Sequence, residues 1–267
     1  MLALRVDPRP VAIARIGLAL AAMINTLELF VILMGLAAGK LAMPLFDWVP
    51  PVTSQIPLIF LSICIVATVA LALGVAPQIA AAVYSVTAAT VMLWDQQTYS
   101  SHQILVILLM AYLAFTRSDR AYSIVRRPGP REHVPWWPQL LMMTQLTSLY
   151  LFAGLSKINP EFLSGEPLSG WIDLPLPEWV FQPLAIATVV TEVLILPIGL
   201  WLARTRVAAA LVGVGLHLSI VVMLADGRVA LTAFALACVP LYPLFLSRPG
   251  QAQAAETGSV LVAAESP

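Results

Sequence analysis

The sequence predicts an all-α, polytopic integral membrane protein, a bundle of about eight transmembrane helices. Hydrophobic residues make up 60% of the chain and charged residues only 10%, whereas a soluble domain carries about 25% charged residues. The mean hydropathy is +0.90. Apolar stretches of about 20 residues, long enough to cross a bilayer, recur along the chain. These three observations exclude a soluble globular domain.

Eight apolar segments are predicted to span the membrane, separated by breaks rich in proline, glycine or basic residues. They cover residues 11–36, 54–74, 77–96, 101–116, 138–157, 179–203, 206–226 and 229–247. The first segment is longer than the apolar region of a signal peptide, so we expect it to remain as a helix. A single transmembrane domain is therefore predicted over residues 1–248, followed by a short polar, disordered tail at 249–267.

The basic residues predict the orientation of the bundle. If the N-terminus is cytoplasmic, eleven of the 14 lysines and arginines fall on the inner side, as the positive-inside rule requires. These are Arg5, Arg9, Arg15, Arg117, Arg120, Arg126, Arg127, Arg131, Arg204, Arg206 and Arg248. Only Lys40, Lys157 and Arg228 fall outside. We therefore expect a multi-pass protein of a bacterial plasma (inner) membrane, with both termini in the cytoplasm.

Ionisable residues collect towards the outer half of this arrangement. Six positions share this property: Asp95, His102 and Lys157 at helix ends, Glu28 in the outer half of the first helix, and Glu192 and His217 near mid-depth. A charged side chain at membrane depth costs several kcal/mol unless it is paired, neutralised or hydrated. Their shared depth predicts a functional cavity that opens to the outer leaflet.

A polar stripe on the fifth helix leads to the lysine. At 3.6 residues per turn, one side of this helix carries Thr147, Tyr150, Gly154 and Lys157. Gly154 has no side chain, so a neighbouring helix or a flat ring can approach closely there. Gly213 offers the same opportunity one turn before His217. The stripe therefore places Tyr150 and Lys157 on the wall of the predicted cavity.

Simpler roles are also open for these residues. Lys157 stands just before Asn159 and Pro160, so it could be an ordinary helix-end lysine whose amine reaches the interface. His102 could serve simply as a cap of the fourth helix. Glu192 and His217 could pair with each other and act as structural links between helices. Asp95 and Glu28 could simply reach the interface and water.

Four stretches resemble the horizontally transferred transmembrane (HTTM) family, which includes the vitamin K-dependent gamma-glutamyl carboxylase. The family signature is similar to YLFAGLSKINPEFLSGEPL, and the helix with the family's assisting histidine is similar to YSSHQILVILLMAYLAF. The first helix of the family is similar to RIGLALAAMINTLELF. Its closing pair of helices is similar to GVGLHLSIVVMLADGRVALTAFALACVPLYPLF. Together these stretches cover most of the chain.

The resemblance implies quinol chemistry at the predicted cavity. In the carboxylase, a lysine at the place of Lys157 deprotonates vitamin K hydroquinone, and a histidine matching His102 assists. A lysine acts as a base only when it is neutral, a form that an apolar cavity favours. The implied ligand is a prenylated quinol, either reduced menaquinone or vitamin K hydroquinone. The expected cavity-lining or proton-relay residues are Glu192, His217, Asp95, Tyr150 and Glu28.

The chain departs from the carboxylase at two points. Ser156 precedes Lys157, where the carboxylase has two consecutive lysines. Only a short polar segment follows the eighth predicted span, whereas the carboxylase continues into a large extramembrane domain that binds its protein substrate. We therefore expect a membrane core with a candidate base, without carboxylation of a protein.

Other classes of function would require other sequence features. A small transporter or lipid-binding protein would use the buried acids and histidines to relay protons or bind a solute, and should show internal repeats with interrupted helices. A haem carrier would need His102 and His217 at equal depth, so neither haem nor another metal is expected. Cys64 and Cys238 are single, which argues against a thiol oxidase. We expect membrane lipids as partners, and no nucleic acid.

Overall fold

The computed structural model describes residues 4–125, 133–224, 227–247 and 249. Its long helices are α1 (Pro8–Ala37), α2 (Ile56–Leu73), α3 (Pro77–Trp94), α4 (Ser101–Leu113), α5 (Trp137–Ser156), α8 (Phe181–Val190), α10 (Arg206–Met223) and α11 (Arg228–Cys238). Shorter helices are α6 (Pro160–Ser164), α7 (Glu166–Trp171), α9 (Leu196–Gly199) and α12 (Tyr242–Leu246). The predicted helical membrane bundle is confirmed.

The sixth predicted span is an interrupted helix. It consists of a 3₁₀ turn at Glu178–Val180, α8, a π-helical segment at Thr191–Ile195, and α9. Pro197 lacks the backbone N–H that would bond to residue 193 in a regular helix, and this explains why the helix widens just before it. Another 3₁₀ turn, Val239–Leu241, joins α11 to α12 in the last span.

Six helical stretches within the described residues are long and apolar enough to cross a membrane. They are Pro8–Ala37, Ile56–Leu73, Pro77–Trp94, Glu178–Gly199, Arg206–Met223 and Arg228–Leu246. The fourth predicted span, α4, is apolar but has only 13 residues. The fifth, α5, has 20 residues but is too polar to be among the six. All eight predicted segments are helical, and six of them meet both requirements.

Helix α1 lies at the centre of the bundle. It packs against α2, α4, α11 and α12, and half of its most apolar stretch is buried inside the protein. Asp7 caps its N-terminus by accepting a 2.8 Å hydrogen bond from the backbone N–H of Arg9. Helix α5 packs against α4, α9 and the π-helical segment. These contacts place the end of α5 beside the interrupted helix.

Buried arginines hold the end of the bundle that we predicted to be cytoplasmic. Arg15 is fully buried and donates to the backbone carbonyls of Ser118, Ala121 and Tyr122. Arg206 donates to the Phe245 carbonyl at 2.7 Å. A short antiparallel pair joins β1 (Arg5–Val6) to β2 (Val134–Pro135) at the same end.

Four of the arginines predicted to form the basic cytoplasmic face lie outside the described residues, namely Arg126, Arg127, Arg131 and Arg248. The predicted tail, apart from residue 249, lies outside them as well. The opposite end of the bundle carries α6 and α7 and an isolated bridge between Ile172 and Leu224. Because successive spans cross the membrane in opposite directions, the C-terminus of α5 also lies at this opposite end of the bundle.

Candidate functional site

Lys157 forms an ion pair with Glu192. Lys157 directly follows the last residue of α5 and caps the helix, and its backbone N–H bonds to the carbonyl of Gly154 at 3.1 Å. Its side-chain Nζ donates to Glu192 Oε2. The Glu192 side chain is 7% exposed and that of Lys157 is 26% exposed. The candidate base therefore has a buried carboxylate as its direct partner.

Gly154 makes this pairing sterically possible. A Cβ atom at residue 154 would lie 2.6 Å from Val193 Cγ2, 2.9 Å from Glu192 Cβ and 3.1 Å from the Val193 backbone nitrogen. The close approach expected from the sequence is therefore present, and the neighbour is the π-helical segment. Because Glu192 is the second residue of that segment, the interruption brings its carboxyl group against the end of α5.

An apolar pocket of about 190 Å³ adjoins this ion pair. Its walls come from α6, α7, α8 and α10, and include Phe162, Leu168, Trp171, Leu184, Leu216 and Met223. Two hydroxyls also line it, but Thr188 donates to Leu184 at 2.9 Å and Ser219 donates to Leu216 at 2.7 Å, both backbone carbonyls of their own helices. The ionisable groups on the pocket wall are therefore Lys157 and Glu192.

His102 lies in a different hydrogen-bonded chain. Its Nε2 contacts Glu28 Oε2 at 2.8 Å, and its Nδ1 is hydrogen bonded to Ser100 Oγ at 2.5 Å. Ser100 precedes α4 but its side chain does not cap the helix. Both ring nitrogens of His102 are thus engaged, and neither bonds to Lys157. The His102 side chain is 16% exposed and that of Glu28 is 21% exposed.

His217 belongs to a third, fully internal cluster. The Tyr150 hydroxyl is hydrogen bonded to His217 Nε2 at 2.7 Å and to the Tyr242 hydroxyl at 2.6 Å. The His217 ring also lies against Phe234, with 5.2 Å between ring centroids. His217 Nδ1 has no hydrogen-bond partner among the described residues. Glu192 and His217 therefore do not pair with each other.

Asp95 lies away from these clusters, in the connection between α3 and α4. Its Oδ1 accepts from the Met43 backbone N–H at 3.3 Å. Its backbone carbonyl accepts from the Thr98 hydroxyl at 2.6 Å. The residue is 6% exposed, so Asp95 ties two connecting segments together.

The residues predicted to share one cavity therefore fall into three hydrogen-bonded groups and one connection. The structure brings Lys157 to Glu192, His102 to Glu28, and His217 to Tyr150. Sequence reasoning did not select Ser100 or Tyr242 as candidate site residues. Ser100 could have been found from its position two residues before a candidate histidine, and Tyr242 as a polar group inside the last apolar span.

Comparison with known proteins covers nearly the whole chain. A model of the HTTM domain matches residues 4–248, which include every helix described above. The chain belongs to the HTTM family. It is thus a multi-pass membrane protein of the carboxylase-related family. No solved structure was found to match this HTTM protein.

Proposed function

We propose that this HTTM protein is a membrane enzyme that acts on a prenylated quinol, with Lys157 as the general base. The observation that carries the proposal is the Lys157–Glu192 pair on the wall of an apolar pocket. An ion pair removed from water costs more in desolvation than its mutual attraction returns unless its geometry is very good. Ionisable residues kept at membrane depth are therefore functional candidates.

The pocket suits the head group of a neutral, ring-shaped lipid. Phe162 and Trp171 offer aromatic surface, and the Phe162 ring centroid lies 6.0 Å from Lys157 Nζ. The volume of about 190 Å³ is below the usual range for whole drug-sized ligands, about 300–1,000 Å³. It accommodates a ring head group while a prenyl tail extends into lipid. The candidate ligands are reduced menaquinone and vitamin K hydroquinone.

In this proposal the protein contributes proton transfer and exclusion of water. A bound quinol supplies the reducing ring that reacts with oxygen. Lys157 must first be neutral, and transfer of its proton to the Glu192 carboxylate within the ion pair produces that form. Neutral Lys157 then accepts the proton of a quinol hydroxyl at Nζ, which leaves the Lys157 ammonium beside the quinolate anion and Glu192 in its protonated form. The apolar walls keep water away from the reacting groups.

The other predicted residues take supporting roles. His102 is held by Ser100 and Glu28, at the same end of the bundle as the site, and makes no direct contact with Lys157. Membrane lipids are the proposed environment and partners. The proposed location is a bacterial plasma membrane, with the basic face and both termini in the cytoplasm.

Quinol consumption by the purified protein tests this proposal. We expect Lys157→Ala to lower the rate at least about 100-fold, because general-base catalysis contributes about 10²–10⁴-fold. Lys40→Ala is the matched control, since Lys40 is exposed and lies outside the pocket. If Lys157→Ala consumes quinol at the unchanged rate, Lys157 is not the base.

The interrupted helix supports a second candidate function, a small transporter or lipid-binding protein. In several transporter folds, helices broken near mid-membrane form the solute and ion sites, and Glu192 lies in such a break. Solute uptake into proteoliposomes that disappears in Glu192→Gln, together with no quinol consumption by the parent protein, would select this function over the enzyme.

A further inference from the structure

A second cavity lies on the other side of α5 from Lys157. It has a volume of about 620 Å³ and is bounded by α4, α5, Tyr99 just before α4, and one residue of α11, Phe234. On α5 it is lined by residues 145, 148, 149, 152, 153 and 156. Their spacing of three and four places them on one face of the helix. This face differs from the one that carries Tyr150, Gly154 and Lys157.

Gln145 carries a polar group into this cavity at membrane depth. It is the ninth residue of the 20-residue α5, about 12 Å from the start of the helix and about 17 Å from its end at 1.5 Å per residue. Its carboxamide makes no hydrogen bond to any of the described residues. The side chain is only partly exposed. The free donor and acceptor therefore face the cavity.

Ser148, one turn from Gln145, shows the same property. Most hydroxyls in this bundle bond to their own helix: Thr147 donates to the Met143 carbonyl at 2.9 Å, and Ser62 to that of Leu58 at 2.8 Å. Ser148 makes no such bond. In a bilayer no bulk water is present to satisfy such groups, so they need a partner. Two neighbouring polar side chains therefore lack one within the described chain.

The lining defines the chemistry of that partner. The polar residues are Tyr99, Ser101, Gln145, Ser148 and Ser156, and none of the lining residues is Lys, Arg, His, Asp or Glu. Hydroxyls and a carboxamide bind hydroxyl, ester or carbonyl groups well. A carboxylate or phosphate would be left without a countercharge at this depth. The cavity therefore fits a neutral ligand.

We propose that the cavity between α4 and α5 binds a neutral amphiphile whose hydroxyl or ester groups bond to Gln145 and Ser148. The apolar part of this ligand packs on Phe152, Leu149 and Phe234. The volume falls within the range of small-molecule sites, about 300–1,000 Å³. Phe234 borders the cavity from a third helix. This site is independent of the proposed reaction at Lys157.

Photocrosslinking in lipid nanodiscs tests the proposal. The probe is a monoacylglycerol with a diazirine in its acyl chain, and the comparison probe is the fatty acid with the same chain. We expect the glyceride probe to label cavity residues of α4 and α5 at least fivefold more than the fatty acid does. An excess of unlabelled prenyl quinol distinguishes the two sources of neutral amphiphile: displacement assigns the site to a quinol, and persistence assigns it to a glyceride.

Three variants make the result specific. Ala153→Trp fills the cavity and should reduce glyceride labelling at least fivefold. Leu155→Trp adds the same ring at an exposed residue of α5 outside the cavity and should leave labelling unchanged. Gln145→Leu keeps the side-chain volume but removes the hydrogen bonds, so it should also reduce labelling.

Two outcomes would overturn the proposal. One is labelling spread over all exposed apolar residues and unchanged in Gln145→Leu and Ala153→Trp. The other is a dimer of the parent protein that Gln145→Leu converts to a monomer, since Gln145 would then bond to a second copy of the chain.

Discussion

At the scale of single residues, Lys157 and Glu192 differ in what each can do without the other. Lys157 is at a helix end with 26% of its side chain exposed, whereas Glu192 is 7% exposed within a span. A lysine near a helix end can extend its amine to the interface. A glutamate in the middle of a helix has no such route. Losing the partner therefore costs more free energy for the Glu192 carboxylate than for the Lys157 amine.

This asymmetry predicts the stability of three variants. Lys157→Met leaves Glu192 buried without its partner and should reduce stability by about 3 kcal/mol, the lower end for a broken buried pair. Glu192→Met should cost less, because Lys157 can reach the interface. The double variant should regain most of the loss, since apolar residues often replace a buried ion pair without penalty.

Thermal unfolding of the purified protein in one detergent measures all three variants. Leu155→Met, a change at an exposed position of α5, is the control for substitution in this helix. A double variant that is less stable than either single variant would contradict the pairing.

At the scale of helices, two glycines determine how closely neighbouring spans approach. Gly154 admits the π-helical segment, and Gly213 admits the hydroxyl of Tyr242. A Cβ atom at residue 213 would lie 2.2 Å from that hydroxyl and 2.6 Å from Cζ of the same ring. Because Tyr242 bonds to Tyr150, and Tyr150 to His217, this contact fixes the internal polar cluster.

A pair of glycine substitutions in α10 tests this arrangement. Gly213→Ala should destabilise the protein by about 1–3 kcal/mol, the usual cost of overpacking, because the Tyr242 ring must move. Gly215→Ala, two residues along, meets no atom within 4 Å and should be neutral or slightly stabilising, since alanine favours the helix. Thermal unfolding compares the two variants directly. Equal stability of both would show that Tyr242 does not lie against Gly213.

At the scale of the whole molecule, charge is distributed unequally between the two ends of the bundle. Arg15 and Arg206 are buried at one end, where they bond to carbonyls of connecting segments. They therefore serve as structural anchors. At the other end Lys157 bonds to Glu192, and Lys40 is exposed.

The predicted orientation can be measured by cysteine labelling on intact cells. Lys40→Cys should react with a membrane-impermeant maleimide, because residue 40 is exposed at the predicted outer end. Ile124→Cys, which is also exposed but at the opposite end, should react only after permeabilisation. The native Cys64 and Cys238 are buried, so the parent protein provides the background. The reverse pattern of labelling would place the N-terminus outside.

Helix periodicity and composition predicted much of this protein from the chain alone. The eight helical segments follow from apolar length, since a span must satisfy its own backbone hydrogen bonds within the bilayer. The close approach at Gly154 and Gly213 follows from the missing side chain. Lys157, Glu192, His102 and His217 could be selected because ionisable groups are rare at that depth.

Only the tertiary structure decided which of these groups are partners. Sequence spacing places a residue on a helix face and at a depth, but the rotation of each helix against its neighbours depends on packing. The π-helical segment before Pro197 turns Glu192 to Lys157, and Glu28 reaches His102 across 74 positions of sequence. The predicted single cavity therefore became separate clusters, because side-chain hydrogen bonds extend only about 3 Å and require direct contact.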